Sequence, residues 1–373
     1  MKYIKQLNSL RAIAVILVIA SHWLAATHIL NTLPLGQMGV DIFFVLSGFL
    51  ITSILLQNKE LAEQEQLSKV KVLKVFYWRR TLRIFPIYYL TITILYLIGE
   101  NTGTDIRSSI GYFLTYTSNF YFFNISAWDG LLSHLWSLAV EEQFYLFWPF
   151  LMLYINSKYL RPMIFIFIAV GIGSQYLLQD VPMNRILTIT CFDGFGLGAL
   201  LAWQIRYRSI SKLYMVLSVA CMVAVAVFCF GVYQKQWTFI PLRTLISIIS
   251  LWIILYIYRY ESSDQLRFKF ILNNKVLIFL GKISYGLYLY HNMIPVFHNR
   301  FLIGYLGINI PGYFGSYEGK IFQLENICLL IGISWLSFVL IENPFLKMKS
   351  KFDHLLAKPA KASDNQIIPA TIH

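Results

Sequence analysis

Leu10-Arg11-Ala12-Ile13-Ala14-Val15-Ile16-Leu17-Val18-Ile19-Ala20-Ser21-His22 decides the fold class. Between an arginine and a serine it is an unbroken apolar stretch, and the run it opens continues to Leu30. A helix needs roughly 20 apolar residues to cross a hydrocarbon core about 30 Å thick. Nine more runs of that kind follow, near 36–57, 82–99, 138–156, 162–180, 185–205, 212–233, 239–258, 275–297 and 321–343. The pattern predicts an all-α, polytopic transmembrane helical bundle of about ten spans.

Composition agrees with that reading. Of the 373 residues 57% are hydrophobic and only 13% charged, with a mean hydropathy of +0.60. A soluble chain carries roughly a quarter charged residues to cover its surface, so soluble enzymes, disordered scaffolds and nucleic-acid-binding domains are excluded. The net charge of +13 then reads as orientation, because lysine and arginine collect on the cytoplasmic side. With ten spans and the N-terminus inside, 58–81 is cytoplasmic and holds Lys59, Lys69, Lys71, Lys74, Arg79 and Arg80. The outer connections hold mainly Arg107, Lys235, Arg300 and Lys320. Were the aromatic stretch Gly111–Phe123 to cross, the basic tail Lys347, Lys349, Lys351, Lys358 and Lys361 would face outward. Residues 100–137 are therefore expected to form an outer loop, and both termini to be cytoplasmic. Residues 1–346 make the transmembrane domain; 347–373, basic and then polar, are expected to be a disordered cytoplasmic tail. The first run lacks a small-residue cleavage site and reads as a retained helix. Cys191, Cys221, Cys229 and Cys328 lie in apolar runs without close pairing, so neither a disulfide framework nor a metal site is expected.

Ionisable residues inside spans are expensive and tend to mark function. Arg11 and His22 are eleven positions apart, about 20° past three full turns at 100° per residue, so they share a helix face about 16 Å apart along the axis. Arg11 fits either a cation snorkelling to lipid phosphate or a ligand-binding group; His22, deeper on the same face, favours function. Asp41, in Gly39-Val40-Asp41, falls at roughly the level of His22, and Ser47-Gly48 further on reads as packing. Arg79, Arg80 and Arg83 cluster on one face of the third helix, where arginine forks suit phosphate. Trp136-Ser137-Leu138-Ala139-Val140-Glu141-Glu142-Gln143-Phe144-Tyr145 opens the fourth span. Its adjacent carboxylates point about 100° apart, so one of the two is expected to face the interior. Ser284-Tyr285 and His291 lie on the ninth span, His291 about 24 Å from Lys275, and Glu342-Asn343-Pro344 closes the last. Arginines thus gather at the inner mouth, while His22, Asp41, Glu141 or Glu142, and His291 gather in the outer half. A histidine paired with a carboxylate is a serviceable general base near neutral pH.

These segments resemble acyltransferase family 3, which includes bacterial O-antigen and other cell-surface sugar O-acetyltransferases. The resemblance rests on Arg11 to His22 (R-x10-H), Gly39 to Gly48, Arg80 to Arg83 (R-x-x-R), Trp136 to Tyr145, Ser284 to His291 and Glu342-Asn343-Pro344. It implies an O-acyltransferase in the bacterial cytoplasmic (inner) membrane that moves an acyl group, usually acetyl, from cytoplasmic acyl-CoA to an outer-side hydroxyl. Acceptors of that class are carbohydrates or lipid-linked sugars such as lipopolysaccharide, so polysaccharide modification by O-acetylation is expected. Acyl-CoA is then a co-substrate, with no permanently bound cofactor, no nucleic-acid partner, and membrane lipids around the chain. Residue by residue, His22 would be catalytic, with Asp41 or Glu142 orienting it, and Arg11, Arg80 and Arg83 would support donor binding or the fold. Glu141, Trp136, Ser284, Tyr285 and His291 would support the acceptor side. A proton-coupled transporter or flippase of an anionic substrate is the alternative: its histidine and carboxylates would relay protons and its arginines bind the anion.

Overall fold

Three long apolar runs in a row give way, after residue 98, to pieces too short to cross a bilayer. The computed structural model describes residues 4–24, 28–234, 241–261, 268–306 and 318–348, and no strand occurs among them. In chain order the helices are α1 (Gln6–Trp23), α2 (Leu35–Gln64), α3 (Lys69–Ile98), α4 (Ile106–Leu114), α5 (Ser118–Ile125), α6 (Leu135–Tyr154), α7 (Ser157–Leu177), α8 (Phe192–Tyr207), α9 (Ile210–Gln234), α10 (Leu242–Tyr260), α11 (Lys269–Leu272), α12 (Lys275–Lys282), α13 (Ser284–Tyr290), α14 (Met293–Leu306), α15 (Glu318–Ser337) and α16 (Asn343–Lys347).

Seven helical stretches among the described residues are long and apolar enough to cross a membrane. They are α2, α3, α7, α8, α9, α10 and the stretch from Gly319 to Lys347. The remaining three of the ten apolar runs are helical too but differ in kind. Helices α1 and α6 carry Arg11, His22, Glu141 and Glu142, which lower their hydropathy. The ninth run is not one helix: it breaks into α12, α13 and the start of α14. Pro295 explains the second break. It has no N–H to return to the carbonyl of His291, and that carbonyl accepts from Trp23 Nε1 at 3.0 Å instead. Pro344 acts similarly at the end of α15, where Phe338–Glu342 widens into a π turn.

Between α3 and α6, helices α4 and α5 have 9 and 8 residues. At 1.5 Å per residue each is under half a bilayer in length, so 100–137 packs as a cap. Tyr116, at φ 53°, stacks on Tyr88 with ring centroids 4.3 Å apart. Gln143 of α6 ties the cap down, donating to Tyr116 O at 2.8 Å and to Asn119 Oδ1 at 2.9 Å.

Helix α1 lies among α2, α12 and α13, and α2 lies against α8. Missing side chains allow this. A Cβ on Gly48 would fall 2.0 Å from Phe195 O, one on Gly198 2.1 Å from Val45 O, and one on Gly281 1.9 Å from Asn8 O. Backbones that close leave no room for lipid, so α1 and α2 form the centre of the bundle. The buried Lys59 on α2 closes the end of α6, donating to Met152 O at 3.1 Å and Ile155 O at 2.5 Å, where a helix terminus leaves carbonyls without partners.

The expected tail, 347–373, lies outside the described residues from 349 onward. All four cysteines are free thiols.

Candidate active site

Two cavities open beside α1. The first is lined by Arg11, Arg80, Arg83, Glu141, Glu142 and Tyr145, among others. Arg80 and Arg83, three apart on α3, face it together, as helical spacing requires. Arg80 lies over the Tyr145 ring at 4.8 Å. Ser47 Oγ donates to Glu141 Oε1 at 2.5 Å and meets Tyr145 Oη at 2.8 Å, fixing that carboxylate, while Arg11 Nη1 donates to Asn8 Oδ1 at 3.4 Å. With all five groups ionised, three cations against two anions make this arginine cavity formally +1.

The second is lined by His22, Asp41, Trp128, His134, Trp136, Arg185, Arg243 and Asn292, among others. Val40 and Tyr288 line both cavities and form the wall between them. Tyr288 is held there: its hydroxyl lies 2.5 Å from Ser137 Oγ and donates to His134 O at 3.1 Å.

Hydrogen bonding sets the tautomer of each imidazole in the histidine cavity. His291 is fully buried and its Nδ1 lies 2.6 Å from Tyr288 O. A carbonyl only accepts, so the proton is on Nδ1 and the Nε2 of His291 is a lone pair. That Nε2 sits 3.2 Å from His22 Nδ1, whose other neighbour is Val18 O at 3.0 Å. Both partners are acceptors, so His22 carries its proton on Nδ1 and keeps a free lone pair on Nε2. His134 forms the third ring of the group, 4.7 Å from His291 between centroids. Its Nε2 donates to Leu289 O at 3.0 Å and its Nδ1 accepts from Asn292 Nδ2 at 3.2 Å. Burial, with His22 nearby, pushes the His134 imidazole down to about 3 and holds it neutral.

Asp41 does not join these rings. Its Oδ1 accepts from Arg243 Nε at 2.8 Å, both side chains being buried. Arg243 Nη1 donates to Thr190 O at 2.7 Å and Nη2 to Arg185 O at 2.8 Å. Among the described residues no group of three histidines, cysteines or carboxylates is placed to hold a metal ion.

An acyltransferase domain family model matches residues 4–342. This chain belongs to acyltransferase family 3. The O-acetyltransferase OatA of Staphylococcus aureus (strain NCTC 8325 / PS 47) is 28% identical over 96% of this chain and 59% of its own length. The peptidoglycan O-acetyltransferase OatA of Listeria monocytogenes serovar 1/2a is 37% identical over 46% of this chain and 28% of its own length. A relative from Staphylococcus aureus (strain COL) is 30% identical over 93% of this chain and 58% of its own. The chain thus spans under two thirds of the length of these relatives. No solved structure matches it.

For this member of the family, the fold brings Arg11, Arg80 and Arg83 together in one cavity and puts His22 in the other, as the shared face of α1 implies. The carboxylates are distributed otherwise than the sequence suggests. Glu141 and Glu142 both line the arginine cavity, although adjacent residues on α6 point about 100° apart. They lie about 9 Å along α6 from Leu135, past the first turn. Ser284 and Tyr285 also line the arginine cavity, whereas Trp136 lines the histidine one. Glu342 is buried near Arg83. The position beside His22 that a carboxylate was expected to fill is held by His291. Sequence reading passes over His134, Arg185, Arg243 and Tyr288. Of these, only His134, heading the Trp136 segment, and the intraspan Arg243 carry a local signal.

Proposed function

We propose that the chain is an integral-membrane O-acyltransferase of about ten spans with both termini cytoplasmic. In this reading it moves an acyl group, acetyl in the simplest case, from cytoplasmic acyl-CoA to a hydroxyl of a cell-surface sugar or glycolipid outside a bacterial cytoplasmic membrane. The observation that supports it most is the pair of cavities meeting at Val40 and Tyr288, one lined by arginines and the other by His22. Guanidinium forks match phosphate oxygens, so CoA phosphates lie against Arg11, Arg80 and Arg83 while the pantetheine arm carries the thioester toward the wall.

On the other side the acceptor hydroxyl gives its proton to His22 Nε2. The freed oxygen attacks the thioester carbonyl, the C–S bond breaks, and the departing thiolate takes up the proton that His22 Nε2 releases, which restores the base. His291 Nε2, an acceptor, stabilises the imidazolium in the role a carboxylate fills elsewhere. Asp41, tied to Arg243, keeps the acceptor-side turn in place and does not act as a base.

Acyl transfer by purified protein in liposomes, wild type against His22→Ala, tests this. Loss of a general base removes roughly 10²–10⁴ of the rate. Unchanged transfer in His22→Ala would sink the assignment, and saturable solute flux without CoA turnover would favour a transporter instead.

A further inference from the structure

Arg185 sits on the short 3₁₀ turn Asn184–Ile186, is exposed, and lines the cavity that holds His22, Trp128 and Trp136. Its Nη1 donates to Gln37 Oε1 at 3.2 Å, and no ion pair to it occurs among the described residues. The acid on that cavity wall, Asp41, is already committed to Arg243. Among the described residues, that one neutral acceptor meets one of the guanidinium's five donors, and Arg185 lines the cavity with the rest.

The turn beneath Arg185 is fastened from below. Arg243, buried, reaches Arg185 O at 2.8 Å and Thr190 O at 2.7 Å, and its Nη1 lies 3.1 Å from Cys191 Sγ. Removing a guanidinium from water is costly, and Asp41 supplies the matching charge at 2.8 Å. A side chain that merely snorkels to lipid needs no such anchoring, since its flexible stem finds the headgroups by itself. A group that must meet a substrate at a set distance from a reacting centre does need it.

We propose that the acceptor carries an anionic group, a carboxylate or a phosphate, which Arg185 binds while the reacting hydroxyl lies at His22 Nε2. This rests on the O-acyltransferase reading and narrows its acceptor to acidic glycans. Trp128 and Trp136 line the same cavity and offer faces for a sugar ring.

The test uses the full chain in liposomes with acetyl-CoA and four acceptors: octyl glucoside, octyl glucuronide, and octyl glucosides phosphorylated at two different hydroxyls. Three kinds of anion guard against the loss of any one hydroxyl deciding the outcome. Wild type is expected to favour the anionic acceptors over octyl glucoside by roughly tenfold or more in kcat/KM, the scale of a charge-assisted contact. Arg185→Gln should bring that ratio toward one through KM, and Arg185→Lys should keep part of it. A wild-type ratio near one, or an unchanged ratio in Arg185→Gln, would overturn the proposal. So would a ratio that follows the phosphatidylglycerol content of the vesicles, which would assign Arg185 to lipid headgroups. His22-dependent transfer without charge preference refutes this inference alone; no His22-dependent transfer to any of the four refutes the functional reading and this one with it.

Discussion

His22 is exposed to its cavity while His291, its ring partner, is fully buried, and that asymmetry divides the work between them. In the proposed reaction the exposed ring meets the acceptor, and the buried one acts through its neighbour. His291→Leu removes the acceptor that holds the His22 Nδ1 proton and is expected to lower kcat by roughly 10²-fold or more, by analogy with losing the orienting group of a catalytic triad. His291→Gln offers a carbonyl oxygen at similar reach and should recover part of kcat, with KM for acetyl-CoA little changed in both. Equal losses in the two variants would show that His291 only fills space. The residues that sequence reading places well here are those whose partners are local. Arg11 and His22 share a helix, and Arg80 and Arg83 share a turn, so 100° per residue is enough to group them. Asp41 and Arg243 are 202 positions apart, and no spacing rule links two helices so distant in the chain. A carboxylate level with His22 therefore looks like its partner until the tertiary fold shows the arginine that claims it.

Elements place the imidazoles by how closely their backbones approach. Gly281 of α12 lies against Asn8 of α1, where a Cβ would stand 1.9 Å from the Asn8 carbonyl oxygen. Backbone cannot yield there without moving α1, and α1 carries Arg11 and His22. Gly281→Val is expected to destabilise the fold by about 3 kcal/mol, at the upper end of overpacking effects, seen as earlier thermal unfolding in detergent. Gly173→Ala on α7 is the comparison, because nothing lies within 4 Å of its added Cβ, and its effect should stay within about 0.5 kcal/mol. If both variants unfold alike, close approach at Gly281 does not hold α1 in place. Hydropathy finds where helices are but not where they break. The ninth apolar run reads as one span because its residues are apolar throughout, although Pro295 is in view. The break leaves the His291 carbonyl to Trp23 and points Asn292 at His134, so the site depends on the feature that hydropathy misses. The stretch 100–137 reads differently, since charge balance argues against its crossing and its helices α4 and α5, of 9 and 8 residues, are too short to span.

Across the whole molecule the arrangement is two chambers with one shared wall. A group transferred between them has to pass Val40 and Tyr288, and these two are not equally movable. Tyr288 is fastened through its hydroxyl to Ser137 and to His134 O, whereas Val40 projects from α2 with nothing but packing to hold it. If the proposed transfer runs between them, the size of the acyl group admitted is set mainly at Val40. Val40→Ala removes two methyl groups from the wall without a new polar atom, and discrimination by an apolar pocket runs at about 10–200-fold per methylene. The ratio of kcat/KM for butyryl-CoA to that for acetyl-CoA is therefore expected to rise by about tenfold or more in Val40→Ala. Transfer of the acetyl group itself should change far less, because the proposed route already admits it in the wild type. Tyr288→Phe keeps the ring but frees it from Ser137, so it tests whether the wall opens by motion; a similar rise there would put the limit on Tyr288. A chain-length profile unchanged in both variants would mean that the acyl group does not travel between these side chains, and that the two cavities serve separate ligands.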